Sequence, residues 1–477
     1  MSNWTRREFI QGAAGSLALG AGLGLGGCQQ STAPRTPMAP MDGDPNVVLI
    51  MLDTLRADKL GCYGYDRAET SPAFDALASK GVIMDRVVSQ CCWTRPSVGS
   101  LLTSLHPRTI GLFKEKGEII HSRHRTLPMI LKDNGYHCFG ITANPNINSL
   151  FNFNQGFDTY VDSSVLFGWM DQEDGTQLRG DKAHLPSANA MFDRVLEHAE
   201  SGVQGPHYVQ VNAMEIHEWY VRNTMIRPEY QNMFTDIGEK YPRYMQSVRQ
   251  LTDDVAAFTD TLSKVPGWEN TLFIIVSDHG EGLDEHQGVD KAKYHGWLLY
   301  ESQVVVPWIL YNPQWTAAQQ RIQQPVRLLE LAPTVLDYLG IEQHAAMEGH
   351  SILPAIKGEV DRVDLPEYFI TETHWRNANK IAAYSADWKY FENRTKHQGL
   401  PRYELQARGV GECGVRTDQL SRNSEIAVPM KSHIKTWETD HPIATATAPG
   451  REMSQDEIDQ LEAIGYLPGG DKDAKQD

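Results

Sequence analysis

Two continuous apolar runs, Asn46-Val47-Val48-Leu49-Ile50-Met51-Leu52 and Thr271-Leu272-Phe273-Ile274-Ile275-Val276-Ser277, constrain the fold more than any other feature of the chain. Neither run alternates polar with apolar residues, so neither can lie with one face in water. Both read as central strands of a parallel sheet buried on both faces. Helical spacing over 71–80, 126–134, 187–200 and 244–262 alternates with strand character over 82–88, 136–141 and 207–211. That alternation predicts an α/β fold, with a doubly wound, mostly parallel central sheet. A strand at 308–311 and a helix at 328–339 close this domain, which is expected to span 46–360. Beyond it the pattern shifts to short strand-like pieces at 380–384 and 388–392, separated by polar turns. These predict a small C-terminal α+β subdomain over 361–468 with a helix at 454–464, and a charged disordered tail follows at 469–477.

The amino terminus points to export. Thr5-Arg6-Arg7-Glu8-Phe9-Ile10 places paired arginines ahead of a Gly/Ala/Leu stretch at 12–25, the pattern of a twin-arginine signal. Leu25-Gly26-Gly27-Cys28 then resembles a bacterial lipobox, so residues 1–28 are expected to form a lipoprotein signal with the lipid on Cys28. The Pro/Thr/Ala-rich segment 29–45 would be a flexible tether. The expected partners are the twin-arginine translocation machinery and a membrane, and the expected location is the bacterial cell envelope. Gln29, rather than Asp, after the cysteine leans towards the outer membrane. A formal net charge of −17 excludes nucleic acid as a partner. The remaining cysteines, at 62, 91, 92, 138 and 413, show neither a disulfide framework nor a zinc-knuckle spacing.

In open parallel sheets ligands bind outside the carboxyl ends of the strands, which is where Asp53 and the pair Asp278-His279 fall. Thr94, two residues before Pro96, would sit at a helix N-terminus, either as an ordinary cap or as a hydroxyl held towards an anion. Asp53, Thr94, Asp278 and His279 together offer two carboxylates, an imidazole and a hydroxyl, a fitting shell for one divalent metal ion. The imidazole favours zinc over calcium or manganese. Coordination would make the Thr94 hydroxyl a nucleophile near neutral pH. His217 and His295 are placed to protonate a leaving oxygen or to hold a tetrahedral anion.

These stretches resemble the sulfatase family within the alkaline phosphatase superfamily. The resemblance runs through Asp53-Thr54-Leu55-Arg56-Ala57-Asp58, Pro96-Ser97, Ser277-Asp278-His279-Gly280-Glu281, His295-Gly296 with Tyr300-Glu301, Ala332-Pro333-Thr334 and Gly349-His350-Ser351, and ends at Leu461-Glu462-Ala463-Ile464-Gly465-Tyr466-Leu467. It implies metal-dependent hydrolysis of sulfate or phosphate esters. This chain departs from the family pattern at instructive points. Thr94 holds the slot in which sulfatases carry the cysteine or serine that becomes formylglycine, and Val98 replaces an arginine. Cys92 lies two residues early, about 7 Å along an extended chain, so formylglycine is not expected. Thr54 replaces a second aspartate. The family's lysine contact is absent from Ile141-Thr142-Ala143-Asn144-Pro145, leaving His295 or Asn144 to replace it. A threonine ester must be opened by a second in-line attack, as in the phosphatases and phosphodiesterases of the superfamily. Two other functions compete: phospho-group transfer of the phosphoethanolamine type to an envelope acceptor, and non-catalytic glycan binding on a degraded site.

Overall fold

The run of apolar residues from Asn46 to Leu52 forms β1, buried along its whole length. It lies at the middle of an eight-stranded sheet, with parallel neighbours on both sides. The computed structural model describes residues 44–461, apart from 114–117, 163–186, 221–225, 239, 287, 290–292, 316–319, 377, 397–398, 409–417, 446–451, 456 and 459–460. The signal at 1–28, the tether up to residue 43, Cys28, Cys413, the tail and the 462–467 part of the closing motif lie outside the described residues. Parts of the helix expected at 454–464 do so too.

The other strands of the sheet are β2 (Val82–Met84), β3 (His137–Thr142), β4 (Thr159–Val161), β5 (His207–Ala213), β6 (Thr271–Val276), β7 (Trp308–Tyr311) and β8 (Gln320–Ile322). Their spatial order is β8-β2-β7-β6-β1-β5-β3-β4. Within it β6, β1, β5, β3 and β4 run parallel, and β7 pairs antiparallel with both β6 and β2. The strand order changes direction around β1, so the crevice expected in a doubly wound sheet opens at its carboxyl end. Among the helices are α1 (Pro72–Ala78), α2 (Thr94–Thr103), α3 (Leu127–Asp133), α4 (Ala188–Ala199), the long amphipathic α5 (Pro242–Leu262) and α6 (Leu331–Tyr338). Thr126 and Ser187, the first residues of the expected helical spans, stand just outside α3 and α4 and cap them through their side chains.

Two expectations need correction. The 82–88 run is not one strand, because it breaks at Asp85-Arg86: β2 joins the main sheet while Val87–Val88 pairs with Val305–Val306 and Val326–Arg327 in a separate three-stranded sheet. The break is fixed by Asp85, whose N–H donates to the Ile322 carbonyl and whose carboxylate pairs with Arg321 at 2.7 Å. The helix expected at 328–339 opens with a tighter 3-10 turn at Leu328–Glu330 before α6.

After residue 361 the chain builds the antiparallel sheet the sequence predicted, with four strands: β9 (Phe369–Thr373), β10 (Lys380–Tyr384), β11 (Trp388–Asn393) and β12 (Tyr403–Ala407). The helix α7 (Ser424–Asp440) covers one face of it. Among the described residues no helix is long and apolar enough to cross a membrane.

Candidate active site

The parallel register brings distant residues together before any side chain is considered. Met51 pairs with Val276, so continuing each strand by two residues sets Asp53 level with Asp278. Leu52 pairs with Ala213, and the Asp53 N–H donates to the Ala213 carbonyl. Ser277 then ties the two strand ends together, accepting the Leu55 N–H at 3.0 Å and donating to the His279 carbonyl at 2.7 Å. Thr54 turns the chain in the left-handed region, at φ 59°, an uncommon conformation for a β-branched residue. Its hydroxyl donates to the Asp53 carbonyl at 2.6 Å, so Thr54 shapes the turn and does not stand in for a second aspartate.

α2 approaches from the side. Thr94 is its first helical residue and the cap position belongs to Trp93, so the Thr94 hydroxyl is not a capping group. It faces the strand ends: Oγ1 lies 3.3 Å from His279 Nε2, 3.5 Å from Asp53 Oδ2 and 3.3 Å from Asn144 Nδ2. Ser97, one turn into the helix, donates to the Asp278 carbonyl at 2.5 Å and fixes α2 against β6. Cys92 packs instead into an apolar cluster with Leu298, Tyr384 and Phe391.

Asp53, Asp278 and His279 each present a ligand atom within 4.8 Å of the others, all fully buried. Asp53 Oδ1 and both Asp278 oxygens have no hydrogen-bond partner. Buried carboxylates without donors are costly, and the site shows it: burial pushes Asp278 up to about 6, and burial and the Asp278 charge raise Asp53. His279 Nδ1 lies 2.9 Å from the Gly280 carbonyl, so the proton sits there and the Nε2 lone pair faces the carboxylates. Burial, then His295, lowers His279 to about 3 and keeps the ring neutral. Two orphaned carboxylates and an inward lone pair suit a divalent cation.

His217 and His295 lie beside this centre. The His295 ring lies 4.7 Å from that of His279 and 4.9 Å from that of His217. Burial opposes charge on His217, but its 3.0 Å contact with Glu218 and the charges of Asp53, Glu218 and Glu281 outweigh it, holding the imidazolium up to about 9. Sequence reasoning gave no role to Glu281. Its buried carboxylate accepts from Trp219 Nε1 at 3.1 Å, from the Gly282 N–H at 3.1 Å and from His295 Nδ1 at 3.3 Å. Only its place after Asp278-His279-Gly280 hinted at this.

The sequence model of the family described as Sulfatase matches residues 45–341. A delta 4,5-hexuronate-2-O-sulfatase of Bacteroides thetaiotaomicron is 23% identical over 376 residues, covering 69% of this chain and 75% of the relative. An N-acetylglucosamine-6-O-sulfatase of the same organism is 20% identical, covering 81% of this chain and 80% of the relative. Among solved structures, the phosphonate monoester hydrolase of Agrobacterium radiobacter superposes with a TM-score of 0.67 at 16% identity, over 83% of this chain and 96% of that one. A protein solved in complex with its substrate D-glucosamine-2-N,6-O-disulfate gives 0.62 at 16% identity, over 83% of this chain and 98% of that one.

Proposed function

The chain belongs to the sulfatase family, an assignment its fold bears out, and from that premise we propose a metal-dependent hydrolase of sulfate or phosphate esters in which Thr94 is the nucleophile. The observation that carries this is the position of Thr94 Oγ1, within 3.5 Å of Asp53, His279 and Asn144 and beside carboxylate oxygens that nothing else satisfies. Asp53, Asp278, His279 and Thr94 Oγ1 would hold the ion. Once bound, the ion would lower the hydroxyl pKa and balance the two carboxylates, and the neutral His279 favours zinc over calcium or manganese.

Thr94 Oγ1 attacks the sulfur or phosphorus in line. His217 and His295, whose rings lie beside that of His279 and each other, protonate the leaving oxygen and donate to the non-bridging oxygens. The product is a Thr94 ester, which has no second hydroxyl through which to eliminate its group. Water must open it by a second displacement, with the same histidines returning a proton. The hexuronate and glucosamine sulfatases among the relatives support a sulfated sugar as substrate. The phosphonate monoester hydrolase supports phosphorus esters on the same frame. The paired arginines and Cys28 support placing the activity in the cell envelope, on a lipid anchor.

The test is turnover of sulfate and phosphate esters by wild type, Thr94→Ser and Thr94→Ala, with bound metal measured on each. Thr94→Ala should lose about 10³-fold or more in kcat while Thr94→Ser retains measurable turnover. Mass spectrometry of quenched turnover should find the group on Thr94. Full activity in Thr94→Ala would overturn the assignment.

A further inference from the structure

A row of rings leads from Thr94 to the surface. Thr94 Oγ1 lies 3.3 Å from His279 Nε2, the His279 and His295 rings are 4.7 Å apart, and those of His295 and His217 are 4.9 Å apart. From His217 the row continues to Tyr220 at 6.2 Å, and from Tyr220 to Tyr294 at 5.1 Å, edge to face. Burial falls along it: His279 and His217 are fully buried, whereas His295, Tyr220 and Tyr294 are half-buried. The row therefore meets solvent at the two tyrosines.

Lys293, also half-buried, stands at the same end. Its ammonium lies 4.7 Å from the centre of the Tyr294 ring and 5.5 Å from those of Trp219 and Tyr241. Trp219 joins it to the centre, because the indole N–H donates to Glu281 at 3.1 Å and Glu281 accepts from His295 Nδ1 at 3.3 Å. Ring faces attract an ammonium without neutralising it, so the charge stays available to an anion. The backbone marks the same segment. Lys293–Tyr294 pairs antiparallel with Gly282–Leu283, and Tyr294 then turns in the left-handed region at φ 79°, an uncommon conformation for a bulky residue. Gln303 Nε2 holds the turn, donating to the Tyr294 carbonyl at 2.9 Å. Strain of this kind is kept at ligand clamps, and here it falls between Lys293 and His295.

We propose that Tyr220, Tyr294 and Lys293 form a subsite for the alcohol part of the substrate, and that this alcohol is a sugar ring with an anionic group of its own, a carboxylate or a second sulfate. This rests on the proposed hydrolysis, in which His217 and His295 serve the leaving oxygen. In an in-line displacement the leaving oxygen departs opposite the attacking one, so its alcohol lies beyond the histidines that protonate it. The row of rings continues there into Tyr220 and Tyr294, whose faces suit the C–H face of a sugar. The anionic group pairs with Lys293. At a net charge of −17 the chain repels anions at a distance, and a local cation decides which of them is held.

The experiment separates binding from turnover. Glucose, glucuronate and 6-deoxy-6-sulfoglucose, none of them an ester, are titrated calorimetrically into the metal-loaded full chain. At least one of the two anionic sugars should bind about 10-fold or more tighter than glucose, and the preferred one identifies the anionic group. Lys293→Met keeps the stem on the rings and removes the charge, so it should abolish that preference, whereas Lys293→Arg should retain it. Tyr220→Ala should weaken the preferred sugar about fivefold. In turnover, Lys293→Met should raise KM at least about 10-fold more for a sulfate ester of glucuronic acid or of a sulfated glucosamine than for 4-nitrophenyl sulfate. Equal binding of glucose and both anionic sugars, or a preference that Lys293→Met leaves in place, would overturn the proposal. If the wild type turns over no ester, the proposed hydrolysis falls, and the binding ranking still decides the subsite. That ranking needs no variant, so it stands if Lys293→Met does not fold.

Discussion

Glu281 shows how a single side chain sets the chemistry of its neighbours. Burial alone would raise its pKa, but His295, His217 and the Trp219 N–H outweigh it and hold the group below the usual carboxylate range. An ionised, acceptor-only group facing three donors holds a proton on His295 Nδ1, so that a second proton, on Nε2, is the one His295 can give. Glu281→Gln keeps the shape but adds an N–H that must oppose Trp219 or His295. We expect kcat to fall about 10- to 100-fold, with KM within about threefold and bound metal unchanged. Steady-state kinetics with metal analysis checks this, and a rise in KM alone would refute it. Asp53, Thr94, Asp278 and His279 were legible in the sequence because each ends a strand or opens a helix, so the fold class alone placed them on one edge. Glu281 was not, because its partners Trp219 and His295 lie 62 and 14 residues away and meet it only through packing.

At the level of elements, the carboxyl ends of β6, β1, β5 and β3 carry the candidate site, and the amino ends of β3 and β5 carry a second group of histidines. His137 opens β3, His207 opens β5, and His198 comes from the last turn of α4. His198 Nε2 lies 3.2 Å from His207 Nδ1, His207 Nε2 lies 3.2 Å from the Val203 carbonyl, and the His137 and His207 rings are 5.7 Å apart. This chain of contacts needs neutral rings. Burial, then the neighbouring imidazoles, lowers His198 to about 4, and burial lowers His207. A folded pKa below the unfolded value of about 6.5 gives stability that is complete above pH 6.5 and is lost as pH falls through about 4. His198→Gln can still donate to His207 but cannot be protonated. Relative to wild type it should gain roughly 1 kcal/mol between pH 7.5 and 4.5, discounted for the partial exposure of the ring. Urea unfolding at both pH values checks this, and a constant difference would count against it. Elements were less legible than residues where a local rule misled. α7 was not foreseen because Pro429 lies inside it, yet a helix keeps a proline in its second turn when the packing of Ala427, Met430, Ile434 and Trp437 outweighs one lost hydrogen bond. The break at Asp85-Arg86 was equally hidden, since apolar spacing says nothing about which sheet a strand joins.

Across the whole molecule, the C-terminal sheet backs Thr94. Trp375, just after β9, packs at 4.8 Å on Trp93, the residue before Thr94. It also lies so close under Gly296 that a Cβ there would sit 2.9 Å from its ring, and Gly296 is the residue after His295. The sheet is pinned to the α/β core by Arg108, from the short helix Pro107–Ile110 after α2. Its guanidinium makes two bonds to Glu372 of β9, at 3.1 and 2.8 Å, reaches Glu438 of α7 at 3.2 Å and the His441 carbonyl at 3.0 Å, and lies 4.7 Å from the centre of the Trp437 ring. Arg108 and Glu372 are both buried, so removing the arginine strands a carboxylate and should cost about 3–5 kcal/mol. Arg108→Lys cannot reproduce the paired bonds and should recover only part of it. If the pin matters only for the C-terminal sheet, Arg108→Ala should separate two transitions in urea. Activity would be lost first, as Trp375 leaves Trp93 and Gly296, and the parallel sheet would unfold later, retaining until then the Asp53, Asp278 and His279 set with whatever metal it binds. Activity, bound metal and far-ultraviolet circular dichroism followed together distinguish the cases. Coincident loss of all three in Arg108→Ala would mean that the C-terminal sheet and the core fold as one unit, and that the wall behind Thr94 cannot be loosened without dismantling the Asp53, Asp278 and His279 set it faces.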